Sequence, residues 1–233
     1  ITSEYSGIES ETKYYVPLGQ TFEYWRLKLT NKSSSPRKIR AFTYCEFTNQ
    51  WNTTQDQVNL QYSIFIVKGQ KTSPNMIQVI SHENLYEQHK KNPAVTDYMS
   101  EWMALAGSPV TGFDTSRQSF IGTYGSYKEP AAVVEGCCYN SEAFGDNACG
   151  TLQTDIELAP GESKEILVML GIGAAEEEGK KAFAEFGTIE RADLEFDKLV
   201  KNWHEKLGSF KAVTPDEDIN HTVNVWGLYN CLI

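Results

Sequence analysis

The chain has 233 residues, 40% of them hydrophobic and 22% charged, with a formal net charge of −10. That composition is globular, excludes a low-complexity chain, and gives enough length for one β-rich domain with an appendage. The acidic balance repels a phosphate backbone, and no stretch reaches the ~18 apolar residues of a membrane span, so neither nucleic acid nor a bilayer is an expected partner.

Strand signals come first along the chain. Trp25, Leu27 and Leu29 alternate with Arg26 and Lys28, the pattern of a half-buried strand. Asn31–Pro36 is a turn. The next run carries Ile39, Ala41, Thr43, Cys45 and Phe47 on one face and Phe42 and Tyr44 on the other, which predicts a strand covered on both sides. Leu60, Tyr62, Ile64 and Ile66 alternate again, and Met76–Ile80 and Tyr98–Leu105 are further strands. A turn-rich passage from Gly107 to Pro130 follows, and then Ala132–Cys138 reads as a strand. Leu152, Thr154, Ile156 and Leu158, the turn Ala159-Pro-Gly-Glu162 and the return over Ile166–Leu170 predict a hairpin. Many short strands divided by turns specify a mainly β fold, an antiparallel β-sandwich.

After Gly173 the period changes. Ala174–Phe186 is a charged helical stretch broken at Gly179. Thr188 then caps a helix whose apolar positions Ala192, Phe196, Leu199, Val200, Trp203 and Leu207 step by three and four until Gly208. Thr214-Pro-Asp-Glu217 has the form of a capping box, with Thr214 as N-cap and Pro215 as the first helical residue. Ile219, Val223 and Trp226 form an apolar stripe, and Cys231-Leu-Ile233 carries no C-cap, so the last helix is expected to be truncated. The expected organisation is a sandwich domain over 1–173, a helical linker over 174–212 and the start of a further helical domain over 213–233.

Several segments, in order, resemble the inverting glycoside phosphorylases of the cellobiose, cellodextrin and laminaribiose group. They include Tyr15-Val-Pro-Leu-Gly19, Glu23-Tyr-Trp-Arg-Leu-Lys-Leu-Thr-Asn31, Gly112-Phe-Asp-Thr-Ser-Arg-Gln-Ser-Phe-Ile-Gly122, Gly150-Thr-Leu-Gln-Thr-Asp155 and Thr214-Pro-Asp-Glu217. The resemblance implies an N-terminal β-sandwich, linker α-helices and then an (α/α)6 barrel. It implies that phosphate attacks the anomeric carbon of a β-glucoside and releases α-glucose 1-phosphate with inversion. An aspartic acid protonates the leaving oxygen, and the anionic phosphate removes the need for a second carboxylate. The family's acid and phosphate ligands lie on the barrel, so no catalytic residue is assigned within this chain. Inorganic phosphate is the co-substrate, no cofactor is implied, and a cytoplasmic homodimer is expected.

Among site candidates, Asn49–Tyr62 is the densest run of sugar-binding residue types. Trp51 and Tyr62 offer flat apolar faces, and Asn52, Gln55, Asp56 and Asn59 offer directional hydrogen bonds. Three roles fit it: a polar loop capping the sandwich, a subunit or domain interface, and direct sugar contact. His82, Glu83 and His89 match no ligand spacing and read as a surface loop, and His204 and His221 as helix-face residues. Asp114 and Arg117 are expected to form a local salt bridge. The five cysteines, Cys45, Cys137, Cys138, Cys149 and Cys231, include no CxxC pair; buried thiols are expected and a metal site is not. The rival readings are a stand-alone carbohydrate-binding sandwich and a purely structural assembly domain.

Overall fold

The computed structural model describes residues 1–47, 67–81, 91, 100–208 and 210–232. Within them the strands are β1 (Thr2–Tyr5), β2 (Ile8–Tyr15), β3 (Phe22–Asn31), β4 (Arg37–Phe42), β5 (Lys68–Ser73), β6 (Met76–Ile80), β7 (Ser100–Ala106), β8 (Gly112–Ser116), β9 (Ala148–Leu158) and β10 (Ser163–Ile172). The helices are α1 (Arg117–Ile121), α2 (Ala131–Glu135), α3 (Lys180–Phe186), α4 (Ile189–Leu207), α5 (Glu217–His221) and α6 (Leu228–Leu232). Wide π-type turns precede α3 (Ala175–Gly179) and join α5 to α6 (Thr222–Gly227). Two antiparallel sheets result, ordered β1-β2-β3-β10-β7-β6-β5 and β4-β9-β8 among the described residues. The mainly β fold followed by helices is the one expected from the sequence.

The central strands of the larger sheet serve two cores. Trp25, Leu27 and Leu29 of β3, Met103 and Leu105 of β7, and Ile166 and Val168 of β10 face the smaller sheet, where they meet Phe113, Leu152, Ile156 and Leu158. The alternate residues Phe22, Tyr24, Trp102, Ala104, Leu167 and Met169 face outward and are covered by Ala175, Phe186 and Ala192 of the helical segment. Both faces are buried, which is why Trp102–Ala106 and Ile166–Leu170 are unbroken apolar runs instead of alternating ones. Gly171 makes room for the largest of these side chains. It pairs with Trp102, and a Cβ on it would lie 2.3 Å from the indole Cζ2.

Three expectations are corrected. The segments around Ala159–Glu162 are not a hairpin, because β9 pairs with β4 and β8 whereas β10 pairs with β3 and β7. The turn instead carries the chain from one sheet to the other, since Ile156, Leu158 and Ile166 must all point into the space between them. Ala132–Cys138 is not a strand. Pro130 precedes a helix, Ala131–Glu135, and Gly136 ends it at φ 76, with Val133 and Val134 turned to solvent. The last helix is capped by Asp216, not Thr214: Asp216 Oδ1 accepts from the backbone N–H of Asp218 at 2.9 Å and of Ile219 at 3.3 Å. Pro215 therefore precedes the cap. The Thr188 cap is as expected, accepting from Arg191 N–H at 3.1 Å. The expected strand Leu60–Ile66 lies outside the described residues.

Candidate functional site

All six sugar-contact candidates, Trp51, Asn52, Gln55, Asp56, Asn59 and Tyr62, lie outside the described residues, as do His82, Glu83 and His89. Asp114 and Arg117 are described and do not pair with each other. Asp114 is fully buried and turns to the loop after α2, accepting from Tyr139 N–H at 3.1 Å, Ser141 N–H at 2.9 Å and the Ser141 hydroxyl at 2.6 Å. Asp114 is buried within β8, whereas Arg117 lies beyond the strand and opens α1.

Arg117 belongs to a surface polar cluster with Glu46, Tyr44 and Tyr127. Its Nε donates to Glu46 Oε1 at 3.0 Å and its Nη2 to the Tyr127 hydroxyl at 2.9 Å. The hydroxyls of Tyr44 and Tyr127 each donate to the same Glu46 oxygen at 2.6 Å. The Tyr44 ring stacks on buried Phe120 of α1, with centroids 5.1 Å apart, and the guanidinium lies 5.2 Å from the Tyr127 ring centre. Apolar packing thus fixes Tyr44 and α1, and these position the polar groups. Partial burial tends to raise the Glu46 carboxyl, but the bonds from Tyr127, Tyr44 and Arg117 outweigh it and hold the group below the usual range. Burial together with the bond to Glu46 pushes the Tyr44 phenol upward. Glu46 stays ionised and is unsuited to donating a proton to a leaving oxygen.

Glu46 also lines a cleft of about 470 Å³ beside the start of β3, together with Glu23, Cys45, Phe47, Glu101 and Leu170. Glu23 is oriented there by the Trp25 indole N–H, which donates to its Oε1 at 2.6 Å. Carboxylates and ring edges in one cleft suit a hydroxyl-rich ligand. Beyond the cluster, the loop after α1 exposes Tyr124 completely and Tyr127 by 60%. Sequence reading missed Glu46 and Tyr127 because they are 81 residues apart, and neither has a local motif. Arg117 was visible, but its partner was not.

The described cysteines are free. Cys138 and Cys149 are buried, as expected, whereas Cys137 and Cys231 are exposed and Cys45 is half-buried. His204 and His221 lie on helices and are exposed. Among the described residues no group of three His, Cys, Asp or Glu side chains is placed to hold a metal ion. No helix among them is long and apolar enough to cross a membrane.

Residues 1–189 match the family model described as "Glycosyl hydrolase 94, supersandwich domain". The chain is 27% identical over 226 residues to an N,N'-diacetylchitobiose phosphorylase of Vibrio furnissii, covering 97% of this chain and 26% of that protein. It is 24% identical to a solabiose phosphorylase of Paenibacillus borealis, covering 95% and 27%. It is also 24% identical to a cellobionic acid phosphorylase of Neurospora crassa, covering 96% and 26%. The chain therefore spans about a quarter of the length of these relatives. With the family model matched over most of its length, the chain belongs to the glycosyl hydrolase 94 family and forms its supersandwich domain.

Proposed function

We propose that the chain is the N-terminal accessory region of a cytoplasmic disaccharide phosphorylase. The whole enzyme converts a β-glucoside of the cellobiose, cellodextrin or laminaribiose type, plus phosphate, to α-glucose 1-phosphate with inversion. The observation that carries this reading is the end-to-end alignment with three phosphorylases of differing disaccharide substrates, each about four times as long. The differing substrates widen the disaccharides to be tested to N,N'-diacetylchitobiose, solabiose and cellobionic acid. Phosphate attacks the anomeric carbon on the face opposite the leaving oxygen, and an acid outside this chain protonates that oxygen. Glu46, held ionised, is compatible with ligand or partner recognition and not with the acid role.

In this reading the region beginning near 213 leads into the catalytic helical barrel, and the sandwich supports a homodimer and frames the barrel's mouth. The Trp51–Tyr62 segment and the Glu46–Arg117–Tyr127 cluster are the surfaces assigned to those contacts. The test is the full-length protein incubated with each disaccharide with and without phosphate, with the products resolved by NMR. Phosphate-dependent α-sugar 1-phosphate is expected. Free sugars released without phosphate, or the β-anomer, would overturn the assignment.

A further inference from the structure

The segment that follows α4 is held to its own helix by side chains. Asn224 Oδ1 accepts from Ala212 N–H at 2.7 Å, and Asn224 Nδ2 donates to the Ala212 carbonyl at 2.8 Å. Asn220 repeats the pattern two residues further along the extended segment: its Oδ1 accepts from Thr214 N–H at 2.8 Å, and its Nδ2 donates to the Thr214 carbonyl at 2.9 Å. Each amide therefore satisfies both polar groups of one backbone residue, as a neighbouring β-strand would.

The geometry is commensurate. Side chains at i and i+4 of a helix lie on one face about 6 Å apart along the axis, and alternate residues of an extended chain repeat every ~6.6 Å. Asn220 lies in α5 and Asn224 in the π-type turn that continues it, and their amides form two rungs with arm residues spaced by two. Solvent exposure follows the same alternation: Ala212 and Thr214 are half-buried, while Lys211 and Val213 are exposed. The Thr214 hydroxyl accepts from Asp216 N–H at 3.3 Å and so links the arm to the cap of α5.

We propose that Asn220 and Asn224 form a two-rung clamp that makes the arm 211–215 and the helical segment Glu217–Leu232 one rigid body. This inference rests on the clamp geometry alone and is independent of the catalytic reading.

Amide exchange and ¹⁵N relaxation on the chain test it. Ala212 and Thr214 amides should exchange about fivefold or more slowly than Val213, whose N–H lies between the rungs. Order parameters of 211–214 should equal those of the helix. N224A should release Ala212 alone, and N220A should release Thr214 alone. N220D and N224D retain an acceptor Oδ, so each should keep its N–H protected after the Nδ2 bond is lost. If an alanine variant unwinds the helix, amides across 217–232 accelerate together, and the aspartate variants decide. Exchange at Ala212 and Thr214 as fast as at Val213, or protection unchanged in the alanine variants, overturns the clamp.

Discussion

Tyr24 of β3 donates its hydroxyl proton to the carbonyl of Phe186 at 2.8 Å, joining sheet and helix across 162 residues of chain. Nearby, Tyr15 of β2 donates to the Ala192 carbonyl at 2.6 Å. Arg26 binds Glu165 at 2.6 Å and also pairs with Asp193 of α4. The outward face of the larger sheet is therefore a docking surface for α3 and the first half of α4. Phe22, Tyr24 and Phe186 supply the apolar contact there, with ring centroids near 5.3 Å.

The two tyrosine bonds differ in what their loss leaves behind. Phe186 ends α3, so its carbonyl has no continuing turn to accept from, whereas the Ala192 carbonyl lies inside α4 and keeps its intrahelical partner. Tyr24→Phe should cost about 1–3 kcal/mol by leaving a buried acceptor, and Tyr15→Phe about 0.5–1.5 kcal/mol. Urea unfolding of both variants checks the order. Equal losses would mean that water takes over at Phe186.

The same phenols predict an alkaline transition. Burial, the dominant cause, pushes Tyr15 from 10.0 up to about 12, and it raises Tyr24 further in the same direction. The native state then holds protons that the unfolded chain has released. The stabilisation is complete below the unfolded value near 10 and declines as pH rises through the folded one. The melting temperature should fall between pH 10 and 12, and the Tyr15→Phe, Tyr24→Phe double variant should fall less steeply.

The sequence revealed single elements better than their pairing. Trp25, Leu27 and Leu29 announced β3 because one face of it packs on a sheet, and Thr188 announced α4 because a cap is a local bond. The crossing at Ala159–Glu162 was hidden, since inward alternation on two strands is the same whether they share a sheet or face each other. Val133 and Val134 imitated a strand, yet Pro130 and Gly136 were the stronger local signals. Glu46, Arg117 and Tyr127 come together across long stretches of chain beside the packing of Tyr44 on Phe120, which no local pattern encodes.

Asn31 should be the most sensitive polar residue of the crossing. It is fully buried, and its Nδ2 donates to the carbonyls of Ser35 at 2.8 Å and Leu158 at 3.1 Å, while its Oδ1 accepts from Ser33 N–H at 3.0 Å. Backbone bonds from Asn31 to Glu162 and from Gly161 to Asn31 complete the junction. Asn31→Ala strips partners from both sheets' connections and should cost about 2–4 kcal/mol, since several buried groups lose bonds together. Asn31→Asp keeps the acceptor role and loses the donor role, so it should not rescue the Leu158 side. A loss below ~1 kcal/mol in chemical unfolding would show that the turn holds itself.

Glu46 gives the last prediction. Its carboxylate is held below the ordinary range by Tyr127, Tyr44 and Arg117 against the opposing pull of burial. A carboxyl lowered in the folded state adds stability above the unfolded value, near 4.3, and loses it as pH falls through the folded value. Glu46→Gln keeps an oxygen for the two phenols but removes the charge that Arg117 meets. The pair is substantially exposed, with side chains 31% and 42% accessible, so the loss at neutral pH should stay below about 1 kcal/mol. The acid limb is the more telling measurement. Between pH 5 and pH 3 the parent chain should lose more melting temperature than Glu46→Gln, and added salt should narrow the gap. Parallel acid limbs would mean that Arg117 and the two tyrosines do not hold Glu46 ionised. The cluster would then be a packing contact of Tyr44 and Phe120 with polar groups at its margin.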